Sequence, residues 1–265
     1  MIMNHSDSQL TTGLVSITFR QLAVPRIVEL VAQAGLQAIE WGGDIHAPPG
    51  QAEVAREVRK HTEQAGLSVA AYGSYYRAGA TPPAEFADVL DTALALDTPT
   101  IRVWAGNRGS AELTEEERGQ VVEDLERIAA LASRQGVIVA CEYHGDTLTD
   151  TCDSALRLLR ETADSELRFY WQPLHGTPPA DRQRGLREVM PRLRHLHVYN
   201  WRLEDRARLP LAQGLELWRT WLREVVENAP CQPVACLLEF VRDDSPEQFL
   251  QDAKALQTLT AEFQT

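Results

Sequence analysis

No stretch of these 265 residues reaches the roughly 18 to 20 consecutive apolar residues of a membrane-spanning helix. The opening MIMNHSDSQLTT lacks the basic and apolar blocks of a secretion signal. Residues 1–12 are therefore expected to be a flexible polar tail ahead of a single domain over residues 13–265. The four cysteines, Cys141, Cys152, Cys231 and Cys236, form no C-x-x-C pair and no zinc-like spacing. Cys141 and Cys236 lie in apolar runs and read as buried free thiols in a reducing, cytoplasmic setting. Positive charge is scarce as well. A formal net charge of −12 argues against nucleic acid as a partner, because phosphate contacts need clustered Lys and Arg. Missing too are a Gly-rich phosphate loop and a Pro/Gly/Ser-rich linker, which speaks against a doubly wound nucleotide fold and against two domains.

What is present is a repeating unit: a helical pattern, a glycine, then a short apolar run. RIVELVAQAGLQAIEW, VRKHTEQAGLSVAAY and LERIAALASRQGVIVACEY all follow it, with Gly35, Gly66 and Gly136 placed where a helix stops in a left-handed residue. Eight such runs occur: GLVSITF, QAIEW, LSVAAYG, TIRVWAG, VIVACEYH, LRFYWQP, LRHLHVY and VACLLEFV. They are too short for helices and too continuous for half-exposed strands. SPEQ at residues 245–248 reads as a capping box opening the last helix. Strand and helix alternating in this way predict a single (β/α)8 barrel.

In a barrel, alternate strand residues point inward and the site lies at the C-terminal strand ends. Parity then turns Ile138, Ala140, Glu142 and His144 inward, along with Ala235, Leu237 and Glu239. It also turns inward Leu193, His195, His197 and Tyr199, and Arg168, Tyr170 and Gln172. Four successive strands thus bring Glu142, Gln172, His197 and Glu239 to one rim. Two carboxylates and an imidazole suit one divalent cation such as Mn²⁺, Mg²⁺, Co²⁺ or Zn²⁺. A lone Glu there could equally be a structural ion-pair partner, but the set is hard to assign to structure because unpaired buried charge is costly.

Over roughly residues 13–260 the chain resembles the xylose isomerase-like TIM barrels, the sugar phosphate isomerase/epimerase superfamily. The likeness rests on Glu142 in CEYH, His197 in HLHVYNW and Glu239 in LLEFV. In relatives of the epimerase type these positions bind the metal together with an Asp that opens an Asp-x-x-His element, whose His contacts substrate. Here the matching stretch is QPLH, so Gln172 stands at the Asp position and His175 at the His position. Three readings of Gln172 are open: a weaker neutral ligand, a hydrogen-bond partner of a metal-bound water or substrate hydroxyl, or the mark of a decayed site that binds without turnover.

Other candidates for substrate contact are Glu40 and Arg102, which could instead form a salt bridge, and Trp104, which could line the site or pack. To these are added Tyr72, read as inward, His46 in the loop after the second strand, His144, and Arg202 in the long loop after the seventh strand. His195 reads as a core histidine one layer lower. The resemblance implies a metal-dependent isomerase or epimerase of a keto sugar, polyol-derived ketone or sugar phosphate. Glu142 and Glu239 would be ligands and catalytic acid–base groups, with transfer through an enediolate. The alternatives are a dehydratase of an inosose- or dehydroshikimate-like substrate on the same scaffold, or an inactive sugar-binding homologue. A small sugar or polyol is the expected partner, in a homodimer or homotetramer.

Overall fold

Short buried strands alternating with one-sided helices close on themselves in the computed structural model, which describes residues 10–229 and 233–263. The strands are β1 (Leu10–Val15), β2 (Ala38–Gly42), β3 (Ser68–Arg77), β4 (Thr100–Trp104), β5 (Ile138–Glu142), β6 (Arg168–Trp171), β7 (Leu193–Val198) and β8 (Val234–Leu238). The helices are α1 (Val24–Gln33), α2 (Ala52–Gln64), α3 (Phe86–Ala95), α4 (Glu115–Ser133), α5 (Cys152–Glu161), α6 (Pro179–Val189), α7 (Leu215–Asn228) and α8 (Pro246–Ala261). Neighbouring strands pair in parallel and β1 closes on β8, giving the expected (β/α)8 barrel.

Local chemistry sets these elements. Gly35, Gly66 and Gly136 take φ of 69°, 75° and 73° just past α1, α2 and α4, as the sequence predicts. Thr114 and Glu117 form a reciprocal capping box that opens α4. Ser245 caps α8 by accepting from the Gln248 N–H, but the box expected from SPEQ is only half made. The Gln248 side chain is drawn away to Asp252 and Arg242 instead. Each helix buries one stripe; in α1 it is Ile27, Val28, Leu30 and Val31, each such side chain contributing about 1.5–3 kcal/mol.

The apolar core has two layers. The larger lies between sheet and helices and holds Val139, Cys141, Phe169 and Leu196. The smaller fills the barrel with Val15, Ala71, Ala140, Tyr170, Ala235 and Leu237. Cys141, Cys152 and Cys236 are buried and free; Cys231 lies outside the described residues. Among the described residues no helix is long and apolar enough to cross a membrane.

Three expectations need correction. The first strand starts at Leu10, not Gly13, because Leu10 is buried and pairs with Val234; residues 1–9 of the expected tail lie outside the described residues. Tyr72 points outward. Between β2 and β3 the register shifts, Ile39 facing Val69 and Glu40 facing Ala71, so Ala70 is an extra residue that inverts the parity beyond it. Leu193 also faces outward, packed in the layer against the helices, because a shift between β6 and β7 pairs Phe169 with Leu193 and Tyr170 with His195.

Candidate metal centre

Above the inner apolar layer, strand ends converge on a charged layer with almost no solvent exposure. β2 supplies Glu40, β4 supplies Arg102 and Trp104, β5 supplies Glu142, β7 supplies His197, and the residues just after β6 and β8 supply Gln172 and Glu239. Glu40 and His197 are wholly buried, and Arg102, Glu142, Glu239, Gln172 and Trp104 nearly so. Gly73 on β3 makes room for this layer. A Cβ there would stand 2.7 Å from Glu40 Oε1 and 2.9 Å from Arg102 Nη2.

The contacts are specific. His197 Nδ1 lies 3.1 Å from Glu142 Oε1 and 3.4 Å from Glu239 Oε2, while Nε2 faces Glu40 Oε2 at 3.3 Å. Arg102 bridges Glu40 Oε1 at 3.2 Å and Glu142 Oε2 at 3.0 Å. Glu142 also accepts from the Trp104 indole at 2.6 Å and from Gln172 Nε2 at 2.8 Å. Gln172 Nε2 donates as well to the Tyr143 carbonyl, which leaves its Oε1 buried with no donor. Glu239 Oε2 is likewise buried without a hydrogen-bond donor.

Burial and neighbouring charge set the protonation. Burial works to raise Glu142 and Glu40, yet Arg102 and His197 outweigh it and hold both carboxyls below their ordinary range. Burial wins at Glu239, where Glu142 adds repulsion, and the carboxyl is pushed up to about 7. Burial disfavours charge on His197 too, but Glu239, Glu40 and Glu142 together raise it well above the usual imidazole value.

Glu142, His197 and Glu239 each offer a ligand atom, and these atoms lie within 4.8 Å of one another. The residues fit a divalent cation. Two buried acceptors, Gln172 Oε1 and Glu239 Oε2, accept no hydrogen bond, and such oxygens are what a hard ion satisfies. Glu40 on Nε2 would fix the imidazole tautomer that leaves Nδ1 free to ligate, as carboxylates do behind metal-bound histidines.

Of the candidates for substrate contact, Glu40, Arg102 and Trp104 belong to this buried layer, the first two as the ion pair that was one of the readings. His144 stands at its edge, its ring 5.0 Å from Trp104. His175 is half-buried and stacks on Trp201 with ring centroids 3.8 Å apart. Three others are placed elsewhere. The Tyr72 hydroxyl donates to the Ala47 carbonyl, in the layer against the helices. His46 is buried with Nδ1 on the Ser16 hydroxyl and Nε2 on the Leu22 carbonyl, so both ring nitrogens are taken by the protein. Arg202 is exposed and 3.5 Å from Asp205, because its loop folds back through a Trp201–Arg208 bridge that turns the intervening residues outward. His195 is a core residue as expected, its Nδ1 accepting from the Ala235 N–H.

Sequence parity missed Arg77 and Phe240. Arg77 ends β3, which runs four residues beyond Gly73, and lays its guanidinium 4.3 Å over the Trp104 ring. The signal was available in the aromatic tail of YGSYYR, which keeps strand character past the glycine. Phe240 directly follows Glu239 with φ of 54° and packs 4.8 Å from Trp201, under the Arg208 guanidinium at 5.3 Å. No pattern in the sequence marks that left-handed turn.

The family model described as xylose isomerase-like TIM barrel matches residues 28–259. A 3-dehydroshikimate dehydratase of Bacillus anthracis is 36% identical over 107 residues, which are 39% of this chain and 37% of that protein. The matched part is thus well under half the length of that relative. The structure of the probable 3-DHS dehydratase of Bacillus anthracis superposes with a TM-score of 0.77 at 21% identity, covering 94% of this chain and 99% of that one. That of a D-allulose 3-epimerase from Methylomonas sp. gives 0.67 at 14% identity, covering 95% and 97%. Both structural likenesses speak for the fold.

Proposed function

This chain belongs to the xylose isomerase-like TIM barrel family, and on that premise we propose that it is a divalent-metal-dependent enzyme removing a proton beside a carbonyl of a polyhydroxylated substrate. The observation that carries the reading is the buried set of Glu142, His197 and Glu239, with Gln172 Oε1 and Glu239 Oε2 lacking donors. Glu142, Gln172, His197 and Glu239 would hold Mn²⁺, Mg²⁺, Co²⁺ or Zn²⁺. Such an ion polarises a substrate carbonyl and stabilises negative charge developing beside it.

The two carboxylates differ, and the difference favours dehydration over epimerisation. Glu142 is clamped by Arg102, Trp104, Gln172 and His197. Among the described residues Glu239 accepts no hydrogen bond; with Oε2 given to the ion, its second oxygen is the one left free to carry a proton. A two-base epimerase needs a second free carboxylate on the opposite face. A dehydratase needs one proton carrier: Glu239 takes the proton from the carbon beside the carbonyl, the β-carbon–oxygen bond breaks, and the same proton leaves with the hydroxyl as water. No electrons are exchanged. Similarity to a 3-dehydroshikimate dehydratase supports this choice. Glu142 then serves to anchor the layer, and Trp104 and His144 line the approach.

The test starts with metal content by mass spectrometry on protein purified without chelator or nickel resin, beside Glu239→Gln. About one ion per chain, reduced in the variant, is expected. Incubation with 3-dehydroshikimate should then give an aromatic near-ultraviolet absorber, lost in Glu239→Gln. Proton exchange of ketoses in deuterated water without any absorbing product would favour the epimerase reading instead. A folded protein that takes up no ion, even after soaking in Mn²⁺ or Co²⁺, would remove the metal-dependent reading altogether.

A further inference from the structure

Beside the charged layer, the segments after β6 and β7 and the first turns of α6 and α7 line a separate cavity of about 220 Å³. Pro173, His175, Arg182, Tyr199, Trp201 and Trp218 are among its walls, and none of Glu142, His197 and Glu239 is. It adjoins the metal centre through the chain itself, since Pro173 follows Gln172 and Tyr199 lies just past His197.

In these walls Arg182 lacks a counter-charge and the Trp201 indole lacks an acceptor. Arg182 is 9% exposed, and its Nε donates to the Leu174 carbonyl at 3.1 Å. Among the described residues no carboxylate comes within ion-pair distance of its guanidinium, and a buried cation without a counter-charge is costly. The indole N–H of Trp201 is also buried and bonds to nothing. Both groups donate, so the cavity is complementary to an anion. Beside prolines, leucines, Asn200 and Glu204, the lining presents ring faces: His175 lies nearly parallel to Trp201, at 19°, and to Tyr199, at 24°. Such walls suit a flat carbon body.

We infer that this cavity is a binding site for a small carboxylate carried on a flat ring, its two oxygens held by the guanidinium of Arg182 and the indole N–H of Trp201. A carboxylate fits better than a phosphate dianion. One guanidinium and one N–H match two oxygens, and Glu204 at the cavity lining would repel a second negative charge. The inference stands apart from the metal-dependent reading, because no ligand of the ion takes part.

Titration calorimetry with benzoate on the full chain as purified tests it, with benzamide and acetate as comparison probes. Benzoate should bind at least about tenfold more tightly than benzamide, which lacks the charge, or acetate, which lacks the ring. Arg182→Met should weaken benzoate by about tenfold or more. Trp201→Phe, which keeps a ring and loses the N–H, should weaken it about threefold or more. Glu239→Gln should leave it unchanged. Equal affinity for benzoate and benzamide overturns the inference without any substitution, so a poorly folded Arg182→Met does not shield it. No detectable benzoate binding overturns it too, as does loss of binding in Glu239→Gln, which would move the anion to the metal centre.

Discussion

The indole N–H of Trp104 donates to Glu142 Oε2 across 2.6 Å, while the face of the same ring carries the Arg77 guanidinium at 4.3 Å. One side chain thus ties a buried carboxylate of the mouth to a cation at its rim. Trp104→Phe keeps the ring and deletes the donor. A hydrogen bond to a charged group is worth about 1.5–3 kcal/mol, so the melting temperature should fall by several degrees and, with Glu142 loosened, kcat/KM on the proposed substrate should fall roughly 10- to 100-fold. Unaltered steady-state kinetics would show that the bond does not position Glu142.

Behind His197, Glu40 holds the ring nitrogen that faces away from Glu142 and Glu239. Glu40→Gln should weaken binding of Mn²⁺ or Co²⁺ by roughly 10- to 100-fold, the usual effect of losing such a support, as read by competition with a chelator. Affinity equal to wild type would mean that packing alone orients the imidazole.

Gln172→Asp would add a carboxylate where a neutral amide now donates to Glu142 and to the Tyr143 carbonyl. Without metal the variant should melt earlier, because a donor is lost and two carboxylates face each other. With saturating Mn²⁺ the order should reverse, since the added charge strengthens ion binding and so raises the melting temperature. Thermal melts with and without Mn²⁺ give both signs; a variant less stable in both would count against Gln172 as a ligand.

His175 sets a pH dependence of stability. Burial, with Arg206 and Arg182 nearby, lowers its imidazole from the ordinary 6.5 to about 4. In that window the unfolded chain takes up a proton that the folded chain refuses. Stability therefore falls as pH drops from 6.5 towards 4, and levels off below. Denaturant midpoints across this range should fall less steeply in His175→Asn, and an identical slope would mean that other groups carry the effect.

Much of this molecule was legible in its sequence wherever strict alternation held. In β5 and β8 the pleat is unbroken, so Glu142 and Glu239 stand where parity put them, above Ala140, Ala235 and Leu237. Parity failed where a strand carries an extra residue. Ala70 in β3 sends Tyr72 outward, and the shift at the start of β7 does the same to Leu193. A bulge depends on the neighbouring strand's register, so a pattern read along a single strand does not contain it. Loops were harder still. The sequence pointed to Arg202 and passed over Arg77, but strand continuation brings Arg77 to the rim and a chain reversal turns Arg202 away. His46 looked like a loop side chain and is instead a buried tie between two segments.

The left-handed turn at Phe240 has a consequence for anyone redesigning this rim. Asp243 and Asp244 share its positive φ, at 60° and 49°, so the segment after β8 holds three side-chain-bearing residues in a conformation that glycine tolerates best. At Phe240 the ring's packing against Tyr199 and Trp201 must offset a backbone cost of about 1–3 kcal/mol. Libraries that vary position 240 freely should therefore return two kinds of survivor, glycine with a more open mouth or an aromatic with the present wall, and few β-branched residues. Diversity is more safely sought at Arg202 and Asp205 after β7, which are exposed and line no cavity described above.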